Sequence, residues 1–366
     1  MNFDFSDDQK LLKEQVRKFL ADKCPMKVVR RVLDGNETHA DEVWKGLVEL
    51  GVPATAIPEA YGGLGLSPLE LCVIAEEIGR AAAPVPFDTS VVLATEALKL
   101  AGSEAQKKKW LPLLAEGKAI GTLAVAEGPQ PPKPRTIATT FGGGRLSGKK
   151  VPVADGEAAT FAVVLAKNEL VLVDLAQKGV ARRRVETIDP ARKHAELTFT
   201  DASAELLGAD GEGWRLLERL YDAAAVYFSF AQVGGAEAAM WMARDYALQR
   251  QAFGRAIGSY QAIKHKLADC YVKLELARSN AYYGAMMLTD GGPDLPLAAA
   301  AARIAATEAY DFASKENIQT HGGIGFTWEA DTQFHLRRAR LMALSIGGPM
   351  AWKDKLVTRL EQKNAA

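Results

Sequence analysis

The stretch RRARLMALSIGGPMAW, residues 337–352, holds three arginines, two adjacent glycines and no carboxylate. It follows QTHGGIGF (319–326), and a third polar string, RQAFGRAIGSYQ, occupies 250–261. A carboxylate or imidazole is the ordinary acceptor of a proton in catalysis. A region rich in arginine and glycine but without an acid therefore raises one question: whether this chain performs chemistry or completes a site that another chain uses. Each residue also has a plain structural reading. Arg250 would be a favourable cation at a helix C-terminus, Gly322–Gly323 an ordinary helix cap, Phe253 a core aromatic and Gln261 a solvated polar residue. His321 reads as a loop-packing residue, not a catalytic one.

The elements that must position these groups follow from the periodicity. In SDDQKLLKEQVRKFLAD, Leu11, Leu12, Val16, Phe19 and Leu20 share one helical face, with Ser6 or Asp7 placed to cap it. DEVWKGLVELG repeats the pattern and ends at Gly51, and SPLELCVIAEEIGRAAA opens with Ser67 as cap, Pro68 at the first turn and Glu70 for a capping box. From about Gly121 to Leu207 the signals are short and strand-like: ATFAVVLAK, ELVLVDLA and AELTFTDAS. EGPQPPKPRTIATTFGGGRLSG inside that region reads as loop. Three long helical patterns follow Gly211. The reading is a helical segment 1–118, a β segment 119–208 and a helical bundle 209–366: an α+β chain, mainly α.

Composition excludes several classes. With 366 residues there is ample core for two or three domains or one large one, and 45 basic against 45 acidic residues leave no bias toward nucleic acid. Cys24, Cys72 and Cys270 form no metal-like CxxC pattern and no disulfide framework, which suits a reducing cytoplasm. The start MNFDFSDDQKLL lacks an apolar leader core. The apolar run 223–243 contains Gln232, Gly234, Gly235 and Glu237, and reads as a buried helix, not a membrane span.

Four strings in order, VPATAIPEAYGGLGLSPLELCVIAEEIGRAAAPVP (52–86), RQAFGRAIGSYQAIKHKLAD (250–269), QTHGGIGFTWEAD (319–331) and LRRAR (336–340), resemble the acyl-CoA dehydrogenase family over nearly the whole chain. The resemblance implies that family's fold: an N-terminal helical domain, a central β-barrel-like domain and a C-terminal four-helix bundle. It also implies FAD and an acyl-CoA substrate. A carboxylate removes the α proton while the β hydrogen leaves as hydride to the flavin, and the electrons pass to an electron-transferring flavoprotein. In the family the FAD crosses a subunit interface. Arg250 matches the arginine that binds its pyrophosphate, Phe253 and Gln261 match the aromatic and amide of the same motif, and Gln319, Gly322 and Gly323 match the adenosine-side loop.

Other family groups are missing. Where the family has A-x-T-E-P-x-A-G-S-D, this chain reads AVAEGPQPPKPRT (124–136); Glu127 survives among prolines that lack N–H donors. After G-x-K, Val151-Pro152-Val153 offers no hydroxyl to the flavin ring. The two places where the family carries its catalytic Glu fall at Ile346 and at about Ala224. Asp222 is rotated away, and Glu237 stands about 20 Å along a helix. The expectation is a subunit without a base of its own, similar to the bacterial α2β2 dehydrogenases of steroid side chains, which completes the FAD site of a catalytic partner. The rivals are a homotetrameric dehydrogenase with an unusual base such as Glu329 or Asp331, a non-catalytic scaffold, and a flavin monooxygenase of the same fold.

Overall fold

A computed structural model describes residues 5–365, so the first four residues of the start MNFDFSDDQKLL, read as lacking an apolar leader core, lie outside it. The N-terminal part is helical: α1 (Asp7–Lys23), α2 (Met26–Asp34), α3 (Asp41–Glu49), α4 (Pro68–Arg80), a π-helical stretch Phe87–Ala94, α5 (Thr95–Ala101) and α6 (Glu104–Ala115). Ser6 caps α1 in a capping box with Gln9. Gly51, at φ 77°, reverses the chain after α3, a conformation that glycine adopts without strain. At α4 the expected box takes another form: the Ser67 hydroxyl accepts from the Leu69 amide and donates to the Glu70 carboxylate.

Eight strands follow: β1 (Gly121–Ala124), β2 (Thr140–Gly142), β3 (Arg145–Ala154), β4 (Phe161–Ala166), β5 (Glu169–Asp174), β6 (Val180–Val185), β7 (His194–Ser203) and β8 (Glu205–Leu207). They form two four-stranded sheets, β1-β4-β5-β8 and β2-β3-β7-β6. The barrel-like closure expected from the resemblance is thus corrected: among the described residues no ladder joins the two sheets or closes either one. The sheets instead share one apolar core that includes Leu146, Val164, Val171, Leu197 and Phe199. The sequence does not disclose β2, β3, β6 or β8: β2 and the first residues of β3 lie in the stretch 127–148 read as loop, and β3 and β6 are polar. β3 is broken by two register shifts, and β6 reads VARRRV.

The C-terminal part is helical, as expected, with five helices among the described residues: α7 (Gly213–Gln249), α8 (Gln261–Asp290), α9 (Leu295–His321), α10 (Thr332–Leu344) and α11 (Pro349–Ala365). A tight hairpin of β9 (Gln251–Ala252) and β10 (Arg255–Ala256) joins α7 to α8. α9 packs against α8, α10 and α11. No helix among the described residues is long and apolar enough to cross a membrane.

By contacts the chain divides into two compact units. One gathers the segment up to Val29, Cys72–Ala83 and everything from Ala225; the other gathers Arg30–Leu71 and Pro84–Ala224. In the first unit α4 and α7 touch backbone to backbone. A Cβ on Gly79 would fall 1.8 Å from the Ala231 carbonyl oxygen, and one on Gly234 would fall 1.8 Å from that of Glu76. Gly235 is pressed by the Tyr310 ring, 2.4 Å from where its Cβ would stand. The glycine pair noted in the apolar run is therefore the crossing point of two helices.

Alanine is the better helix former by about 1 kcal/mol, so Gly234→Ala would stabilise an isolated α7. In this packing it should instead destabilise the protein by about 3 kcal/mol through overpacking, read as a lower midpoint in denaturant unfolding. Gly348→Ala, whose Cβ would meet only Leu344 Cδ2 at 3.6 Å, is the control expected to leave the midpoint unchanged.

Candidate functional site

The last turn of α7 delivers Arg250 to the surface. Its amide donates to the Tyr246 carbonyl at 2.8 Å, and its own carbonyl accepts from the Ile257 amide at 2.8 Å. The plain reading of Arg250 as a cation at a helix end thus holds. The hairpin turn then places Phe253 at φ 53° and Gly254 at φ 80°. Phe253 is 97% exposed, which rules out the core-aromatic reading. The Tyr260 hydroxyl donates to the Ala252 carbonyl at 2.9 Å while the Arg255 guanidinium lies over the Tyr260 ring at 4.0 Å. Gln261 opens α8 and is exposed.

At the end of α9, Gln319 is exposed and Gly322 leaves the helix at φ 62°, ψ −139°. That backbone region suits glycine almost alone. A Cβ on Gly322 or Gly323 would meet nothing within 4 Å, so the backbone here is open to close approach. The two segments are neighbours: the His321 ring stacks on Tyr246 with centroids 4.1 Å apart, and Asn317 Nδ2 donates to Met242 Sδ at 3.2 Å. Lys266 and Glu316 pair at 3.0 Å, tying the start of α8 to the same end of α9. The structure thus gathers the segments that carry all six sequence-selected residues at one end of the helix set. His321 packs, as expected. Sequence reasoning missed Tyr246, whose only signal was its position one turn before Arg250. Exposed apolar side chains, Leu248, Ile324, Phe326 and Trp328, lie in the same segments.

In the other unit the surviving Glu127 is fully engaged. It accepts from Lys150 Nζ at 2.7 Å, the Thr139 hydroxyl at 2.6 Å and the amides of Ala138 and Thr139 at 2.7 and 3.0 Å. Lys150 is wholly buried, and its ammonium also donates to the Val125 carbonyl at 3.0 Å. Burial alone would raise the Glu127 carboxyl, but the bonds from Lys150, Thr139 and the two amides outweigh it and hold the pKa at about 2. Burial pulls the Lys150 ammonium down, and its bond to Glu127 opposes that. The Thr122 hydroxyl is turned to the Ala154 carbonyl at 2.6 Å. The polar groups of this region serve its own backbone.

Both expected base positions are apolar and shut in. Ala224 is fully buried and Ile346 is 2% exposed. The Ile346 carbonyl accepts from Trp352 Nε1 at 3.2 Å, and Gly347 turns at φ 104° beside that indole. Asp222 is buried as well. Glu237 is bound to Arg80 at 2.6 Å, Arg278 at 2.8 Å and Trp241 Nε1 at 3.1 Å. Burial would raise its carboxyl, yet the two arginines hold its pKa at about 2. A carboxylate so committed is a poor proton acceptor near neutral pH. Glu329 stands exposed on the loop before α10, and Asp331 lies at that helix's N-terminus.

Comparison with known proteins places this architecture among flavin-dependent oxidoreductases. The family model for the acyl-CoA dehydrogenase N-terminal domain matches residues 6–118, and that for the C-terminal domain matches 211–349. The chain is 30% identical to an isovaleryl-CoA dehydrogenase of Oryza sativa subsp. japonica, over 94% of this chain and 88% of that one. It is 29% identical to acyl-CoA dehydrogenase IpdE2 of Mycobacterium tuberculosis, over 98% and 97%. Among solved structures it is similar to the Tcur3481–Tcur3483 steroid ACAD, with TM-score 0.89, 27% identity and coverage of 98% and 99%. The chain belongs to the acyl-CoA dehydrogenase family, oxidoreductases whose cofactor is FAD.

The Glu127 carboxyl is depressed from 4.5 to about 2, so the stability it contributes is fully present above pH 4.5 and is lost as pH falls from there toward 2. Glu127→Gln should therefore be less stable than the parent at pH 7 in urea unfolding, and the gap should close across that window. A gap that stays constant down to pH 2 would show that the carboxylate charge contributes nothing.

Proposed function

We propose that this chain is the completing subunit of a heteromeric FAD-dependent acyl-CoA dehydrogenase, organised as domains 1–118, 119–208 and 209–366. Arg250, Phe253, Gln261, Gln319, Gly322 and Gly323 serve FAD held chiefly by a catalytic partner. The observation that carries the reading is a contrast within one chain. The residues suited to pyrophosphate and adenosine are exposed and open, whereas the groups on the flavin side and at both base positions are buried or bonded internally.

The fit to FAD divides accordingly. Arg250 offers a permanent cation to the phosphates, and the amides around Gly322 and Gly323 offer N–H donors with no side chain in the way. Phe253, at 97% exposure, is ready to be covered by a partner surface or a ring of the cofactor. The 122–154 region does not fit the flavin ring in the same way, because Glu127 and Thr122 are already bonded within the chain and Pro152 has no amide hydrogen. Bound there, FAD would supply the hydride acceptor for the β hydrogen of an acyl thioester. The residues of this chain orient and neutralise its phosphate end, and the carboxylate that takes the α proton belongs to the partner.

Relatives support a bulky acyl group. The structurally similar Tcur3481–Tcur3483 protein is a steroid ACAD with two named components. That likeness supports a steroid acyl substrate; the α2β2 assembly, the electron-transferring flavoprotein as acceptor and the cytoplasm as compartment are proposed from the family motifs in the sequence. A homomeric dehydrogenase is the second reading, with exposed Glu329 as its base.

The test is spectroscopic. The purified chain with added FAD should show no flavin that bleaches on addition of an acyl-CoA. Co-expression with a catalytic dehydrogenase chain should restore a flavin band that does bleach, and Arg250→Ala should weaken FAD retention by that complex about ten-fold or more. Bleaching by the chain alone would overturn the partner reading, and Glu329→Gln would then be the variant to assay.

A further inference from the structure

The stack of His321 on Tyr246 joins the two segments that the reading above assigns to FAD, and neither residue has a role in that reading. The rings lie 4.1 Å apart at 25°, a face-to-face contact between the end of α9 and the last turn of α7. Each ring is fixed to the backbone it must control. The Tyr246 carbonyl accepts from the Arg250 amide at 2.8 Å, so a shift of Tyr246 shifts Arg250 with it. His321 Nδ1 lies 2.8 Å from the Asn317 carbonyl, and since a carbonyl can only accept, Nδ1 carries the proton. His321 immediately precedes Gly322, and Gly325 closes against it from the other side, where a Cβ would come within 2.9 Å of His321 Cβ.

The arginine and the glycine amides sit on separate segments after separate helix ends. Each is exposed, and each alone would sample many positions relative to the other. Holding two contact groups at a fixed span before the ligand arrives removes that ordering from the binding step. We infer that His321 and Tyr246 form a positioning clamp that presents Arg250 and the 319–323 loop as one preformed platform for the phosphate and adenosine end of FAD. Neither ring touches the reacting atoms. The inference rests on the cofactor reading proposed above.

The experiment titrates FAD into the full-length chain co-purified with its catalytic partner and stripped of flavin, following flavin fluorescence. His321→Leu keeps apolar bulk but removes the stacking ring, and His321→Phe keeps the ring but loses Nδ1. The Leu variant should raise the Kd for FAD about ten-fold, and the Phe variant should return it to within about three-fold of the parent. Tyr246→Leu should match His321→Leu, and the double variant should be no worse than either alone, because one shared contact is lost only once. Thermal melting of each variant shows whether it folds, and Tyr246→Leu carries the test if a His321 variant does not. If Arg250→Ala weakens binding but His321→Leu and Tyr246→Leu do not, or if their effects add, the clamp is overturned and the cofactor reading stands. If Arg250→Ala also has no effect, both fall.

Discussion

The contact on which one compact unit depends is the crossing of α4 and α7. Gly79 against Ala231 and Gly234 against Glu76 bring two backbones into direct touch, with no side chain between them. So close an approach leaves Glu76 and Glu77 buried at the crossing, each 1% exposed. Burying carboxylates there without partners would be costly. Lys13 and Arg17 from α1 reach Glu76 and Glu77 at 2.5 and 2.8 Å. Arg278 from α8 bridges Glu76 at 2.6 Å and Glu237 at 2.8 Å, while Arg80 joins Glu77 and Glu237. Four helices are therefore held in register by charges that must pair because two glycines allowed the helices to close. Each acid meets at least two cations, Lys13 and Arg278 at Glu76, Arg17 and Arg80 at Glu77, Arg80 and Arg278 at Glu237, so losing one cation weakens the pairing without leaving the acid alone.

The same constraint explains where polar groups are free to act. α7 is fixed by its crossing with α4, α8 by Arg278, and α9 by its packing on α8, so the helix bodies are held in place while their far ends carry exposed residues. Arg250, Gln261 and Gln319 all stand at such ends. In the β region the logic runs the other way. Lys150 is buried outright, and four donors converge on Glu127 to compensate its burial. A group with that many protein partners has little capacity left for a cofactor.

Much of this was legible in the sequence, and the exceptions have physical causes. The long helices, the cap at Ser6, the turn at Gly51 and the apolar strands β4, β5 and β7 all announced themselves through period and punctuation. β3 and β6 did not, because RLSGKKVPVA and VARRRV carry lysines and arginines where a strand pattern expects alternation. Their polar side chains bond to backbone in three dimensions: Arg182 donates to the carbonyls of Glu157, Ala159 and Leu175. The separation into two sheets was hidden for the same reason, since closure depends on ladders between strands distant in sequence. Of the candidate site, motif position singled out Arg250 and the glycines, but Tyr246 is an unremarked tyrosine inside a helix. Its partner His321 is 75 residues away, and no local pattern joins them.

The carboxylate-free stretch 337–352 turns out to be occupied with structure. Arg338 is buried and donates to the carbonyls of Ala82 and Ala83 at 3.0 and 3.3 Å, satisfying the chain just past the end of α4. Arg340 pairs with Asp311 at 2.9 Å, and Arg337 lies over the Trp328 ring. Beyond them, Ile346 is buried while its carbonyl is held by the Trp352 indole, so this turn is anchored inward by an apolar side chain and a hydrogen bond. A glutamate placed at 346 would have to ionise in that enclosure or pull the turn open. A single substitution there would therefore not yield a free, exposed carboxylate. The packing of α10 and α11 fixes an apolar side chain at 346, and the exposed polar groups of this unit stand instead at the ends of α7 and α9.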